Sequence, residues 1–388
     1  MKIAQIAPLH ESVPPKTYGG TERVVHYLTE ELVKRGHEVT LFASGDSETS
    51  AELRSIIPEA LRLSSQRRDP VIWHMLQLNQ VAKEADRFDI LHFHTDFFHF
   101  PLGRYLRKPH LTTLHGRLDL PDLKPMFNEF RDMPVVSITD HQRSPLPMAH
   151  WVGTVYNGIP TDLYDFSATP DDYFAFLGRM SPEKGAEEAI QIALRAGVKL
   201  KMAAKVDPVD RDYFEQRIKP YLSQPLIEYI GEVDERGKNE LLGGAKALLF
   251  PIAWPEPFGL VMIEAMACGT PVIAYRLGSV PEVMQDGVTG YIVDSLEQAV
   301  DAIAKIETID RRGCRDYFER RFSAARMAED YLNQYHRLIA MSLQEATSLP
   351  ARGVARTRLG KVPSRIPTAP DSKATADLSV RTGGLNLG

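Results

Sequence analysis

Short apolar runs alternate with helix-periodic stretches along this chain, and the alternation happens twice. In the first half, residues 2–7, 38–43, 90–93, 111–114, 135–138 and 151–155 read as strands. Between them, residues 21–35 read as a helix with Val24, Val25, Leu28, Leu32 and Val33 on one face, stopped by Gly36. A second helix is expected around residues 71–85. After the turn Asn157-Gly158-Ile159-Pro160, a natural linker and hinge, a new series starts. Its strands are 173–177, 199–203, 227–230, 247–250, 270–274 and 290–293, with helices over 186–196 and 238–245. Strands separated by helices must pair in parallel, because the helix carries the chain back along the sheet. The expectation is therefore α/β, with two doubly wound Rossmann-like domains facing across a cleft. Ligands belong at the carboxyl ends of the strands.

Bulk properties agree with this frame. A chain of 388 residues is long enough for two cores. Its 43% hydrophobic and 25% charged content is ordinary for a globular protein, and a net charge of -5 argues against a nucleic-acid binder. Two cysteines, Cys268 and Cys314, exclude a disulfide framework and fit a reducing cytoplasm. No run approaches the ~20 apolar residues of a membrane span, so membrane contact would be peripheral. Residues 311–339 read as one helix, with Tyr317, Phe318, Phe322, Met327, Tyr331, Tyr335 and Leu338 as packing residues. From residue 345 onward aromatics vanish and Pro, Ser, Thr, Ala and Arg dominate, so 345–388 reads as a disordered tail.

Chemistry concentrates in Pro255-Glu256-Pro257-Phe258-Gly259-Leu260-Val261-Met262-Ile263-Glu264. Glu256 lies between two prolines and must be in a loop or turn. Glu264 lies on the helix that this loop opens. Between them, Phe258 and Gly259 set backbone N–H groups at a helix N-terminus, which suits a phosphate. Such a site holds a sugar hydroxyl, a diphosphate and a ribose diol in a row.

Gly178-Arg179-Met180-Ser181-Pro182-Glu183-Lys184-Gly185 follows strand 173–177, so Arg179 and Lys184 are expected on a loop over the cleft. Two fixed cations can stabilise a departing diphosphate as its charge grows. Gly19-Gly20 precedes the first helix and lets the backbone approach a ligand. His115-Gly116 ends a strand at the cleft, within reach of a sugar hydroxyl. His92, His94, Asp96 and His99 are read as the polar end of a buried strand, and no metal site is expected. Cys268 sits in an apolar run and reads as packing.

Together these segments resemble glycosyltransferase family 4, the retaining, nucleotide-sugar-dependent enzymes of the GT-B fold. The strongest element is Glu256–Glu264 followed by Ala265-Met266-Ala267-Cys268-Gly269-Thr270-Pro271-Val272-Ile273; Gly278-Ser279-Val280-Pro281-Glu282-Val283 supports it. The resemblance covers residues 1 to about 340. It implies an acceptor-side domain over 1–160, a donor-nucleotide domain over 161–312 and a C-terminal helix over 313–340 returning to the first domain. It implies that Glu256 holds hydroxyls of the transferred sugar and Glu264 the ribose hydroxyls. Arg179 and Lys184 would neutralise the diphosphate. Phe258, Gly259 and Leu260 would give backbone contacts, and Val233 would meet the base. Gly19, Gly20 and His115 would reach the donor from the other domain. The implied reaction is metal-independent and cofactor-free, with front-face attack by an acceptor hydroxyl. Glucose from UDP-glucose is the preferred donor, by family frequency. GDP-mannose-dependent transfer and an inactive sugar-nucleotide-binding protein are the alternatives. The acceptor stays open among lipid, polysaccharide and small molecule.

Overall fold

The computed structural model describes residues 1–348 except 17–18, 65 and 67. The part of the tail expected at 349–388 lies outside the described residues. Residues 345–348 belong instead to the last helix, Ala324–Ser348.

The first sheet has seven parallel strands: β1 (Lys2–Ile6), β2 (Glu38–Phe42), β3 (Glu52–Arg54), β4 (Ile90–Phe93), β5 (His110–Thr113), β6 (Pro134–Ser137) and β7 (His150–Thr154), in the order β3-β2-β1-β4-β5-β6-β7. The second has six: β8 (Phe174–Arg179), β9 (Leu200–Lys205), β10 (Ile227–Gly231), β11 (Leu248–Phe250), β12 (Val272–Tyr275) and β13 (Gly290–Val293), in the order β10-β9-β8-β11-β12-β13. Every strand pair is parallel. Strand order reverses at β1/β4 in one sheet and at β8/β11 in the other, and crevices for ligands open at such points.

Three details differ from the sequence reading. β3 was not foreseen: three residues, none fully buried, at a sheet edge give no periodic signal. Arg179 is the last residue of β8 and not part of the following loop, because Gly178 and Arg179 still pair with Ala204 and Lys205 of β9. The single helix expected over 311–339 is two helices, Arg311–Arg321 and Ala324–Ser348. The break is at Phe322 and Ser323. Phe322 is fully buried beside Tyr156, Phe258 and Tyr317, and Ser323 bridges to Ile159. Tertiary packing overrides helix continuity here.

That bridge needs Gly158. A Cβ there would lie 2.4 Å from the Ser323 carbonyl oxygen. Ile159 N–H donates to Phe322 O at 2.9 Å and Ala324 N–H to Ile159 O at 2.8 Å. The chain thus crosses between the sheets twice, side by side. The second crossing delivers the Ala324–Ser348 helix to the first sheet, where Gln5 Nε2 of β1 donates to the Tyr335 hydroxyl at 3.0 Å. Among the described residues no helix is long and apolar enough to cross a membrane.

Candidate active site

The loops that follow the two switch-point strands of the second sheet meet. Pro182–Lys184 is a short 3-10 turn after β8, and residues 251–259 follow β11. Lys184 Nζ lies 2.5 Å from Glu256 Oε2, and the Trp254 indole N–H donates to the same oxygen at 2.9 Å. Lys184 also stands 5.1 Å from the Trp254 ring centre. Glu256 is 8% exposed, so its charge depends on these partners. Two residues with separately assigned roles therefore form one pair. Arg179 is ion-paired to Glu183 and lies 3.5 Å from Asp210.

Gly278 shapes the far wall. Its φ is +57°, and a Cβ would fall 2.4 Å from the Glu256 nitrogen. Ser279 N–H donates to Glu256 O at 2.9 Å, and the Ser279 hydroxyl donates to Phe258 O at 2.8 Å. The Phe258 carbonyl thus already accepts one hydrogen bond and its ring is buried, so its N–H is the donor it can offer a ligand. Gly259, with φ +78°, caps the Leu260–Ala267 helix. A Cβ on Gly20 would lie 3.7 Å from the Leu260 Cδ1, so Gly20 faces this helix from the first lobe, while Gly19 packs against Pro15 and Glu22 of its own lobe.

Glu264 is buried and 3.2 Å from Lys238 Nζ. Lys238 also lies 2.9 Å from Glu235, which accepts from the Tyr164 hydroxyl at 2.8 Å and pairs with Arg23 of the first lobe. Sequence reasoning missed Arg23, Glu235 and Lys238. The available signal was Arg23 following the Gly19-Gly20 turn on the first helical turn. Val233 sits in the loop between β10 and the Glu235–Gly244 helix, partly buried against the main core.

His115 is half-buried, and its Nε2 is 2.9 Å from His94 Nδ1. Burial pushes its pKa down to about 3, so the ring is neutral. His115 was expected simply to point into the cleft; one ring nitrogen is instead committed to His94. The following residue but one, Arg117, stands 5.6 Å from the Trp254 ring centre, which brings the His115 loop opposite Glu256. Gln142 pins that loop, donating to Leu114 O at 2.9 Å and Gly116 O at 2.8 Å. Gln142 N–H in turn donates to the Thr139 hydroxyl, which donates to Pro257 O at 2.9 Å. His92 is held by Thr113 and Tyr335. Among the described residues no group of His, Cys, Asp or Glu has the arrangement of a metal site. Burial raises the Cys268 thiol to about 12, consistent with packing.

Two family models match in tandem: "Glycosyltransferase Family 4" over residues 18–135 and "Glycosyl transferases group 1" over 166–321. The chain is 25% identical to an uncharacterised glycosyltransferase of Methanocaldococcus jannaschii, across 88% of this chain and 99% of that one. Its fold is shared with AviGT4, a glycosyltransferase of avilamycin A biosynthesis (TM-score 0.69, 24% identity, 88% of this chain and 98% of the other). It is shared also with Anabaena HepE in complex with UDP-glucose (TM-score 0.64, 17% identity, 89% and 100%).

Proposed function

This chain belongs to glycosyltransferase family 4, and on that premise we propose that it moves a hexose, glucose from UDP-glucose, to an acceptor hydroxyl with retention and without a metal. The contact between Lys184 and Glu256 carries the proposal, because it joins the loops after β8 and β11 at the switch point. A diphosphate arriving there competes for Lys184. As Lys184 turns to phosphate, a Glu256 oxygen becomes free to accept a sugar hydroxyl. Donor binding and sugar positioning are then one event. Arg179 adds the second cation, and the N–H groups of Phe258, Gly259 and Leu260 complete the cradle.

Glu264, steadied by Lys238, takes the ribose hydroxyls, and the Val233 backbone meets the base. Gly19 and Gly20 close over the phosphates from the first lobe. The leaving phosphate receives the acceptor's proton on the same face, so no protein nucleophile is needed. Solved neighbours holding UDP-glucose or ADP support a nucleotide donor; UDP is our choice from family frequency.

A donor-hydrolysis screen over UDP- and GDP-sugars, run with and without EDTA, tests this. UDP-glucose turnover unaffected by chelation is expected. Glu264→Ala should raise donor KM about tenfold, a loss of ~1.4 kcal/mol of binding. Glu256→Ala should lower kcat on the order of a hundredfold. Wild-type kinetics in both variants removes the assignment; preference for a GDP-sugar replaces UDP-glucose as donor.

A further inference from the structure

Below the cleft mouth, the first lobe holds a continuous chain of side-chain hydrogen bonds. The Tyr331 hydroxyl and Thr113 Oγ1 are 2.8 Å apart, and Thr113 Oγ1 is 2.8 Å from His92 Nε2. His92 Nδ1 is 2.7 Å from the Tyr335 hydroxyl, to which Gln5 Nε2 donates at 3.0 Å. Gln5 Oε1 lies 2.8 Å from His94 Nε2, and His94 Nδ1 lies 2.9 Å from His115 Nε2. Gln5, His92, His94, Thr113, Tyr331 and Tyr335 are all buried, so each donor must be matched by a neighbour instead of by bulk water.

A neutral imidazole has one N–H and one lone pair. The Gln5 carbonyl oxygen only accepts, so His94 carries its hydrogen on Nε2. Its Nδ1 is then a lone pair, and His115 must supply the hydrogen from its own Nε2. That leaves the lone pair of His115 on Nδ1, which makes no hydrogen bond among the described residues. The direction of the whole chain is set at one amide, Gln5. The Ala324–Ser348 helix participates through Tyr335.

We propose that Gln5 and His94 are positioning residues that hold His115 as its Nε2–H tautomer, so that Nδ1 offers a lone pair to a hydroxyl of the transferred sugar. The identity of the group accepted rests on the glycosyltransferase reading; the tautomer does not. Desolvation keeps both the buried His94 ring and the half-buried His115 ring neutral, which preserves the one-donor, one-acceptor logic. The consequence is specificity. A lone pair at this point attracts a hydroxyl hydrogen and repels a carboxylate, so a neutral hexose is favoured over a uronic acid.

The test is long-range proton–nitrogen NMR on the full chain labelled with nitrogen-15 histidine, with His115→Asn identifying the signal. The expected wild-type result is a proton on Nε2 of both His94 and His115. Gln5→Leu should give mixed tautomers at His115, a donor KM raised about tenfold, little change in kcat and unchanged affinity for UDP. A His115 proton on Nδ1 in the wild type overturns the proposal, whatever the fate of the variants. So does a single Nε2–H signal with wild-type KM in Gln5→Leu. An Nε2–H tautomer in a protein that turns over no nucleotide sugar removes the glycosyltransferase reading and the sugar hydroxyl with it.

Discussion

Lys184 and Glu256 illustrate what a spacing can and cannot say. Their residue types and loops are evident from sequence, because prolines and glycines punctuate both segments. Their mutual contact is not, since it depends on how two loops 72 residues apart in sequence converge. The side chains are only 18% and 10% exposed, so each charge leans on the other. Lys184→Met should lower stability by about 1–3 kcal/mol, because it leaves Glu256 with Trp254 alone. Adding Glu256→Gln should recover most of that loss, and denaturant melts of the single and double variants check it. A second residue-scale effect concerns Glu22, which carries no motif signal beyond adjacency to Gly19-Gly20. Burial, foremost, pushes its carboxyl up to about 7; Glu11 adds to the rise and Arg62 opposes it. The folded state therefore holds a proton that the unfolded chain releases near 4.5. This stability is fully present below about pH 4.5 and is lost as pH rises through 7. Glu22→Gln should melt higher than wild type at pH 8, by on the order of 1–3 kcal/mol, with the difference shrinking toward pH 5.

Elements with a strong period were legible, and elements defined by tertiary contact were not. The parallel strands of both sheets are apolar runs buried by helices, and the sequence pattern carries them directly. The edge strand β3 and the break at Phe322–Ser323 lack Gly, Pro or periodic cues. The same limit hides the role of Gly278, which in the sequence is only one residue of a supporting motif. Its importance is a positive φ and the approach of the Glu256 backbone, both visible only in three dimensions. Gly278→Ala must move the Glu256 loop. Stability should fall by about 2 kcal/mol or more, from left-handed strain and the close contact. Donor turnover should fall more steeply than thermal stability, because the displaced segment carries Glu256. Parallel melting curves and donor kinetics separate the two losses.

At the scale of the molecule, the two lobes share one buried apolar cluster, and polar bridges join them around the cleft. Glu282 accepts the backbone N–H groups of Asp140 and His141 at 2.8 and 2.6 Å, and the Tyr156 hydroxyl at 3.3 Å. Thr139 reaches Pro257 O, and Arg23 pairs with Glu235. The crossings at 157–159 and 322–324 are the only backbone continuity between the sheets among the described residues, and they lie side by side. A paired crossing behaves as a hinge, and the bridges on the cleft side oppose its opening. Glu282 is the most open to test, since it touches neither loop that holds the candidate donor residues. Its two bonds to a 3-10 turn are charge-assisted but half-exposed, so Glu282→Ala should shift the closed-to-open balance by about 1 kcal/mol, roughly fivefold. Small-angle scattering should then show a larger radius of gyration for the variant, and saturating nucleotide should restore compactness by bridging the lobes. Donor KM should rise while kcat at saturation stays near wild type, because closure is recovered once the donor is bound. A scattering profile identical to wild type, with or without nucleotide, would mean that the lobes are held by the buried contacts at Phe258 and Phe322 and that Glu282 does not govern closure.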